Sequence, residues 1–415
     1  MLQLLNTMTR EKEPFEPRSG RTVKMFSCGP SIYRRPHVGN YRSFIWQDAL
    51  VRYLEYLGYS VKRALNFTDV EDKAISEAAG EGLTIGELTG AVAERFFEEA
   101  RGLRMKLPEK IPRSSTSVEQ AVRIIRKLVR KGYAYWREGD VFFDPLKFEG
   151  FGKLFRLDMS KWPKQKRRFK KDTYPGQRWN LGDFILWHGY RDGDYVFWET
   201  DIGKGRPSWN VQDPAMISEC LGYSLDIFCG GIDNLYRHHD YNIAVMESAS
   251  GKELARYWLH GHHVLVRGKK MSKSLDNIVY TEDLLAQGYT WEHIRFYLLH
   301  AHYRKRLNLT MESFRETCGK LDALRSMVND ITAGGADKRA APDGATEKLA
   351  GEITSRFESA MNDDLDTRGA LDGVSRAVSG LHARWKAGRI APQQAAGIKE
   401  RLRKVDGVLQ VIFDL

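Results

Sequence analysis

Residues 23–27, VKMFS, form an apolar run interrupted by one lysine, and they predict a buried strand that ends in the Gly29-Pro30 turn. From Gly39 the segment GNYRSFIWQDALVRYLEYLGY repeats its apolar positions with helical period. It predicts a helix that stops at Gly58. SVKRALNFTDV predicts the next strand, and EDKAISEAA the helix after it. Strand, helix, strand with a glycine-bearing turn after the first strand is the plan of a doubly wound α/β nucleotide fold, whose ligands lie at the strand C-termini.

The pattern changes between about Ser115 and Gly205, which look like an inserted region. Within it GYAYWREGDVFFDP predicts a hairpin. Lys161 to Lys171, KWPKQKRRFKK, carries seven basic side chains and no acid. Such a run is ordinarily a solvated loop, and contact with an anionic partner is the alternative. The fold's pattern returns with SLDIFCGGIDN, a strand ending in a glycine turn, followed by a helix over RHHDYNIAVMESA. After Arg304 the chain is expected to be helical throughout, with the Gly/Ala/Asp-rich ITAGGADKRAAPDGAT as a flexible loop. There is no internal repeat.

Composition adjusts this picture in three ways. A chain of 415 residues, 42% hydrophobic, suffices for two or three domains. The net charge of +11 favours polyanionic partners such as nucleic acid or nucleotides. Four cysteines in a chain this long are no disulfide framework, which points to a reducing cytosol. The N-terminus MLQLLNTMTREKEPFEPRSG is too charged for a signal peptide, and no stretch is apolar enough to predict a membrane helix.

No Walker loop and no GxGxxG occurs, so the common phosphate signatures are absent. Two other short motifs carry the candidate chemistry. HVGN, His37 to Asn40, begins the first helix, where anions are favoured. Gly39 permits close approach of an adenine ring, and His37 and Asn40 supply donors. KMSKS, Lys270 to Ser274, places Lys270 and Lys273 about Met271 and Ser272 in a segment able to close over a triphosphate. The two lysines would neutralise the charge that develops when the α-phosphate is attacked. The alternative for KMSKS is a plain surface loop.

The chain resembles the class I aminoacyl-tRNA synthetases, and within them the cysteinyl-tRNA synthetase family. The similar segments, in order, are FSCGPSIYRRPHVGNYRSF, RYLEYLGYSVKRALNFTDVEDKAI, FGKL, GDFILWH, GKGRPSWNVQDPAM, HHDYNIAVMES, YWLHGHHVLVRGKKMSKSLDN and MNDDLDTRGAL. They run from about residue 20 nearly to the end. The resemblance implies a Rossmann-type α/β catalytic domain split by a connective insertion and followed by a helical bundle. The expected boundaries are 1–114 and 206–304 for the two catalytic halves, 115–205 for the insertion and 305–415 for the bundle. It implies that amino acid and ATP, with Mg2+, give an aminoacyl-adenylate that passes to an acceptor. It places Cys28, Gly29, Thr68, Trp209, Asp233 and His238 at the amino-acid pocket, with Cys28 and His238 matching two zinc ligands.

Two ligands do not carry over. The family's Trp-His-Ile-Glu-Cys ends in a zinc-binding cysteine, whereas residues 209–213 here read Trp-Asn-Val-Gln-Asp. The fourth ligand is a glutamate four residues after the histidine on the same helix face, and that position is Asn242. The set becomes Cys28, Asp213, His238 and Asn242. A carboxylate binds zinc, but a neutral amide is a poor donor, so zinc stays open. Cys229, in the nearby strand-end turn, is a candidate replacement thiol; the plainer reading of Cys229 and Cys220 is as small buried apolar residues. The resemblance further implies a zinc that takes the substrate thiolate and rejects serine, and a degraded donor set removes the physical basis for that discrimination.

The family continues past VLQVIF into a domain that reads the anticodon, whereas this sequence stops at Leu415. The ligases that join cysteine to glucosaminyl-inositol in mycothiol synthesis share the shorter architecture but retain the zinc cysteines. The expected function is an ATP-dependent amino-acid ligase with altered amino-acid specificity. Its acceptor is a small amine or carrier, or a tRNA 3′ end, and no membrane is involved. The alternatives are a genuine cysteinyl-tRNA synthetase with an unusual metal site, and a catalytically idle paralogue that binds RNA or a protein partner.

Overall fold

The computed structural model of the chain describes residues 1–174, 181–333 and 339–414, with Lys273 described by its backbone alone. The chain opens with an antiparallel hairpin, β1 (Gln3–Asn6) and β2 (Glu11–Pro14). It enters the main sheet at β3 (Thr22–Ser27), crosses through α1 (Val38–Tyr56) and returns at β4 (Ser60–Leu65). β3 and β4 are parallel, with Thr22 opposite Ser60 and Ser27 opposite Leu65, so the strand–helix–strand unit forms where its pattern predicts. Thirteen of the nineteen residues of α1 are buried, which makes it an enclosed helix rather than a surface one.

Next come α2 (Asp72–Glu81), α3 (Ile85–Gly102) and α4 (Val118–Arg130). They lead to a separate antiparallel sheet of β5 (Ala134–Arg137), β6 (Asp140–Phe143), β7 (Phe184–Gly189), β8 (Trp198–Thr200) and β9 (Gly203–Pro207), in the order β5-β6-β7-β9-β8. The hairpin expected over GYAYWREGDVFFDP is β5–β6, with Ala134 opposite Phe143. The basic run 161–171 is mostly exposed; Lys166 instead pairs with Asp144 at 2.7 Å and Asp183 at 3.5 Å.

α5 (Trp209–Cys220), β10 (Leu225–Gly231), α6 (Asp240–Ser250) and β11 (Ala255–Gly261) complete the main sheet. Its four strands, in the order β11-β10-β3-β4, are all parallel. Parallel strands packed on both faces read as continuous apolar runs, as Leu225–Cys229 does apart from Asp226. The C-terminal ends of β3 and β10 therefore open side by side, which brings Cys28 next to the turn at Gly231–Asp233.

The remainder comprises β12 (Val264–Val266), β13 (Lys269–Lys270), α7 (Thr281–Leu285), α8 (Trp291–Leu299) and β14 (Leu307–Leu309). Four long helices close the chain: α9 (Met311–Ala333), α10 (Gly344–Asn362), α11 (Thr367–Lys386) and α12 (Pro392–Leu409). Two expectations need correction. The chain is not wholly helical after Arg304, because β14 lies parallel to β12. Three residues are too short for their period to be legible. The helix expected from Arg237 begins at Asp240 instead. Arg237 takes a left-handed conformation, φ 56°, beside an extended Tyr236, which breaks the helix before the two histidines. His238 and His239 keep a helical backbone after that break, and His238 and Asn242 both reach Asp213 Oδ2, as their four-residue spacing suggests. Part of the loop expected over residues 331–346, positions 334–338, lies outside the described residues, and α9 runs to Ala333.

Buried polar groups brace these parts. Asp48 of α1 pairs with Arg295 of α8 at 2.6 Å, both fully buried. The Asp364 carboxylate, after α10, accepts from the Leu5 backbone and the Tyr303 hydroxyl, each at 2.8 Å, and also pairs with Arg304. Among the described residues no helix is long and apolar enough to cross a membrane.

Candidate active site

A cavity of about 680 Å3 opens at the strand ends. His37, Gly39 and Asn40 line it together with Lys270, Met271 and Ser272, so the two distant motifs face one space. His37 caps α1: its Nδ1 accepts the Asn40 N–H at 3.3 Å, while Asn40 Oδ1 accepts the His37 N–H at 2.9 Å. Burial first, aided by the Lys270 charge, lowers the His37 imidazole to about 4, so it is neutral near pH 7. With Nδ1 accepting, the ring proton sits on Nε2, a donor available to an anion.

A Cβ on Gly39 would come within 3.0 Å of the His37 ring and 3.3 Å of Met271 Cε, so glycine allows the two motifs to touch. The Val38 N–H donates to the Val279 carbonyl at 2.9 Å, tying the chain that leaves KMSKS to the start of α1. Lys270 Nζ lies 3.3 Å from Asp233 Oδ2, an exposed pair that water screens. Lys273 begins a short 3₁₀ turn, Lys273–Leu275; its side chain lies outside the described residues.

The other end of the cavity is closely packed. Cys28 lines it, and behind Cys28 stand Asp213, His238 and His239, each at most 5% exposed. Cys28 Sγ lies 3.7 Å from Asp213 Oδ2, 3.7 Å from His238 Nε2 and 3.2 Å from His239 Nε2. His238 Nε2 and Asp213 Oδ2 are 2.9 Å apart. The amides of Asn66 and Asn242 donate to Asp213 at 3.0 and 3.4 Å. His239 Nδ1 meets His260 Nε2 at 2.8 Å, and His260 Nδ1 meets Thr7 Oγ1 at 2.9 Å. Burial, then the Asp213 charge, raises the Cys28 thiol well above its ordinary value. Burial lowers His260 to about 3 and His239 well below its usual value. The Trp209 ring stacks on His238 at 4.4 Å with the planes 7° apart. Thr68 is buried behind Gly29, accepting from Asn66 at 3.3 Å. Gly29 has no room for a side chain: its Cβ would fall 1.8 Å from the Asn66 carbonyl oxygen.

The donors fit a zinc-class cation. Tetrahedral geometry with ordinary zinc–ligand bonds places sulfur about 3.6 Å from nitrogen or oxygen, and nitrogen about 3.3 Å from oxygen. In the triangle of Cys28, Asp213 and His238 the two sides to sulfur, 3.7 Å each, match that geometry, while the 2.9 Å between His238 and Asp213 is a hydrogen-bond distance that would have to widen around an ion. Asn242 stands behind it, bonded to Asp213 rather than offering a ligand atom to the centre. Cys28, His238 and His239 form a second possible trio about the same sulfur.

Sequence reasoning missed His239 and His260. The paired histidines in RHHDYN and the LHGHH stretch were the available signals. The contact depends on the left-handed turn at Arg237, which no local pattern announces. Cys229 does not join the ligand cluster among the described residues: its side chain packs in the core, and its carbonyl lies 3.1 Å from the Cys28 nitrogen.

Comparison with known proteins gives the family. Residues 14–319 match the family described as tRNA synthetases class I (C) catalytic domain. The chain is 36% identical to the cysteine–tRNA ligase of Chlamydia muridarum over 427 residues, covering 99% of this chain and 88% of that one. Identity to the Lactobacillus delbrueckii subsp. bulgaricus cysteine–tRNA ligase is 36% over 390 residues, 93% and 82% of the two chains. Among solved structures, the Mycobacterium tuberculosis methionyl-tRNA synthetase in complex with methionyl-adenylate superposes with a TM-score of 0.68 over 95% of this chain and 90% of that one. At 15% identity that likeness shows the shared fold alone. The chain belongs to the class I tRNA synthetases, a family of ligases, and within it is similar to the cysteine–tRNA ligases.

Proposed function

We propose that this ligase activates a small amino acid with ATP and Mg2+ and passes it to the 3′ end of an RNA. The carrying observation is that His37, Asn40 and Lys270 line one cavity. A carboxylate oxygen of the amino acid bonds to the α-phosphorus, the bond from that phosphorus to the bridging oxygen breaks, and pyrophosphate leaves with the electron pair. His37 Nε2 donates to the phosphates. Lys270 exchanges Asp233 for them, and Lys273 joins it. Asp233, released, holds the amino acid's ammonium group. Catalysis is positioning and electrostatic stabilisation, without a protein nucleophile.

At the buried end, Cys28, Asp213 and His238 would hold a zinc-class ion. When bound, that ion would supply a soft Lewis acid that favours a thiolate over a hydroxyl. Cysteine is accordingly the first candidate substrate, which the names of the relatives also support. A second reading follows from Asp213 itself. Its carboxylate is already paired with His238 and bonded by Asn66 and Asn242, so it can order the pocket by hydrogen bonds alone and admit another small polar side chain.

Support for an RNA acceptor comes from a second cavity of about 710 Å3, lined by Lys305, Arg306 and Lys320 among others. Among the described residues these three exposed cations make no ion pair, which leaves them for phosphates. A small amine acceptor would not need them.

The test is ATP–pyrophosphate exchange with each amino acid, beside elemental analysis of the purified protein. Exchange with cysteine and about one zinc per chain supports the first reading. Exchange with another small polar amino acid and no metal supports the second. No exchange with any amino acid sinks the adenylation reading. Charging of an RNA pool then decides the acceptor.

A further inference from the structure

Arg42 lies just inside α1, two residues after Asn40, but does not line the cavity. It is 2% exposed, and no ion pair engages it among the described residues. A guanidinium so placed is costly unless its donors are satisfied. Its Nη1 donates to the Leu298 carbonyl at 2.9 Å and its Nη2 to the carbonyls of His302 at 2.8 Å and Lys305 at 3.0 Å, while its Nε is left without a partner among the described residues. Leu298 is in the last turn of α8, where carbonyls lack helical partners and the dipole favours a cation. His302 and Lys305 belong to the short segment that feeds β14.

From that segment the connection to Lys270 runs through backbone pairing. The His262 N–H donates to the Tyr303 carbonyl at 2.8 Å, and the Leu307 N–H to the His263 carbonyl at 3.2 Å. β14 pairs with β12, and β12 places Leu265 opposite Lys270 in β13. One turn beyond Arg42, the Trp46 ring stacks on Tyr303 at 4.6 Å and presses on Gly261, where a Cβ would meet Trp46 Nε1 at 2.5 Å.

We infer that Arg42 is a positioning residue that fixes the separation between the His37–Asn40 end of the cavity and Lys270, acting through β14 and β12. The inference rests on the adenylation reading for its effect on rate, but not for its effect on structure. The helix that carries one phosphate contact holds the hairpin that carries the other, and Arg42 is the polar link between them, beside the Trp46 packing and the Val38–Val279 backbone bond. Were the hairpin to drift, ATP and amino acid would still bind, while the α-phosphorus would lose its cation at the moment of attack. A displacement near 1 Å lowers a rate by roughly 100-fold in such sites.

Two measurements test it. The first is hydrogen–deuterium exchange on the full chain, without substrate. Arg42→Ala should raise exchange across residues 262–270 by about tenfold, and Arg42→Lys, which keeps a cation within reach of one or two carbonyls, should restore part of the protection. Unchanged exchange there in a folded Arg42→Ala protein overturns the inference, whether or not activity is found. The second is a double-mutant cycle in pyrophosphate exchange. Arg42→Ala should lower kcat by roughly 10- to 100-fold with little change in the KM for amino acid. In a Lys270→Ala background it should cost less than about twofold. A full additive loss in that background shows that Arg42 does not act through Lys270. Should Arg42→Ala not fold, Arg42→Lys takes its place in both arms with a smaller effect of the same sign. A wild-type protein inactive with every amino acid would count against the adenylation reading alone, since the exchange arm still decides the inference.

Discussion

The two ends of the cavity are built on opposite principles. At the end lined by HVGN and KMSKS the charged group is solvated: Lys270 has 63% of its side chain in water and pairs with the half-buried Asp233. At the side-chain end Cys28, Asp213, His238, His239 and His260 form one buried network, joined by contacts from 2.8 to 3.7 Å. A charge meant to meet a phosphate must be free to leave its partner, and water screening keeps that exchange cheap. A pocket that selects among small side chains must be rigid, and rigidity comes from satisfied buried groups.

The contrast separates stability from turnover, and the sharpest way to break it lies at Asp213. Asp213→Ala leaves the His238 ring and the amides of Asn66 and Asn242 without their acceptor. The expected loss is about 3–5 kcal/mol of stability, read by urea denaturation, together with any retained metal, read by elemental analysis. A variant as stable as the wild type would erase the distinction. Lys270→Ala probes the other end. It should lower pyrophosphate exchange by roughly 100- to 1,000-fold and leave the thermal midpoint where it was.

The last prediction concerns a buried carboxyl near the cavity. Glu71 is buried behind Ser31 and Tyr33, and burial outweighs the opposing Lys73 charge and Ser31 hydroxyl to raise its carboxyl from 4.5 to about 7. Between those values the folded chain holds a proton that the unfolded chain has released. Stability from this group therefore falls as pH rises from about 4.5 to 7 and is level above that, by at most about 3 kcal/mol in all. Denaturation at pH 5, 6 and 7 should show the wild type losing ground to Glu71→Gln at each step. A constant difference between the two would place Glu71 in a wetter setting than its burial indicates.

Local pattern carried much of this architecture. VKMFS and the helical period after Gly39 were enough to locate β3 and α1, because a buried strand and an enclosed helix state their period in a dozen residues. HVGN and KMSKS announced residues that line one end of the cavity, since each is a short contiguous motif. The side-chain end was legible only through resemblance, and there only in part. Cys28, Asp213 and His238 meet as expected, and Asn242, four residues after His238, reaches the same Asp213 oxygen. His239 enters because Arg237 turns the chain left-handed, and His260 because β11 lies beside β10. Those are facts of long-range packing, for which a linear sequence offers no period. Arg42 and Asp48 were hidden in the same way: within α1 they look like the polar side of a surface helix, and both are buried.

Asp364 bears on how this molecule could be taken apart. A single carboxylate receives the first strand, the segment before the helical bundle and, by its own position in the chain, the bundle itself. Cutting the chain after residue 305 would not release a free-standing catalytic unit. It would strip the amino-terminal ribbon and Tyr303 of their common anchor, so the two ends of the polypeptide would be expected to come loose together in limited proteolysis.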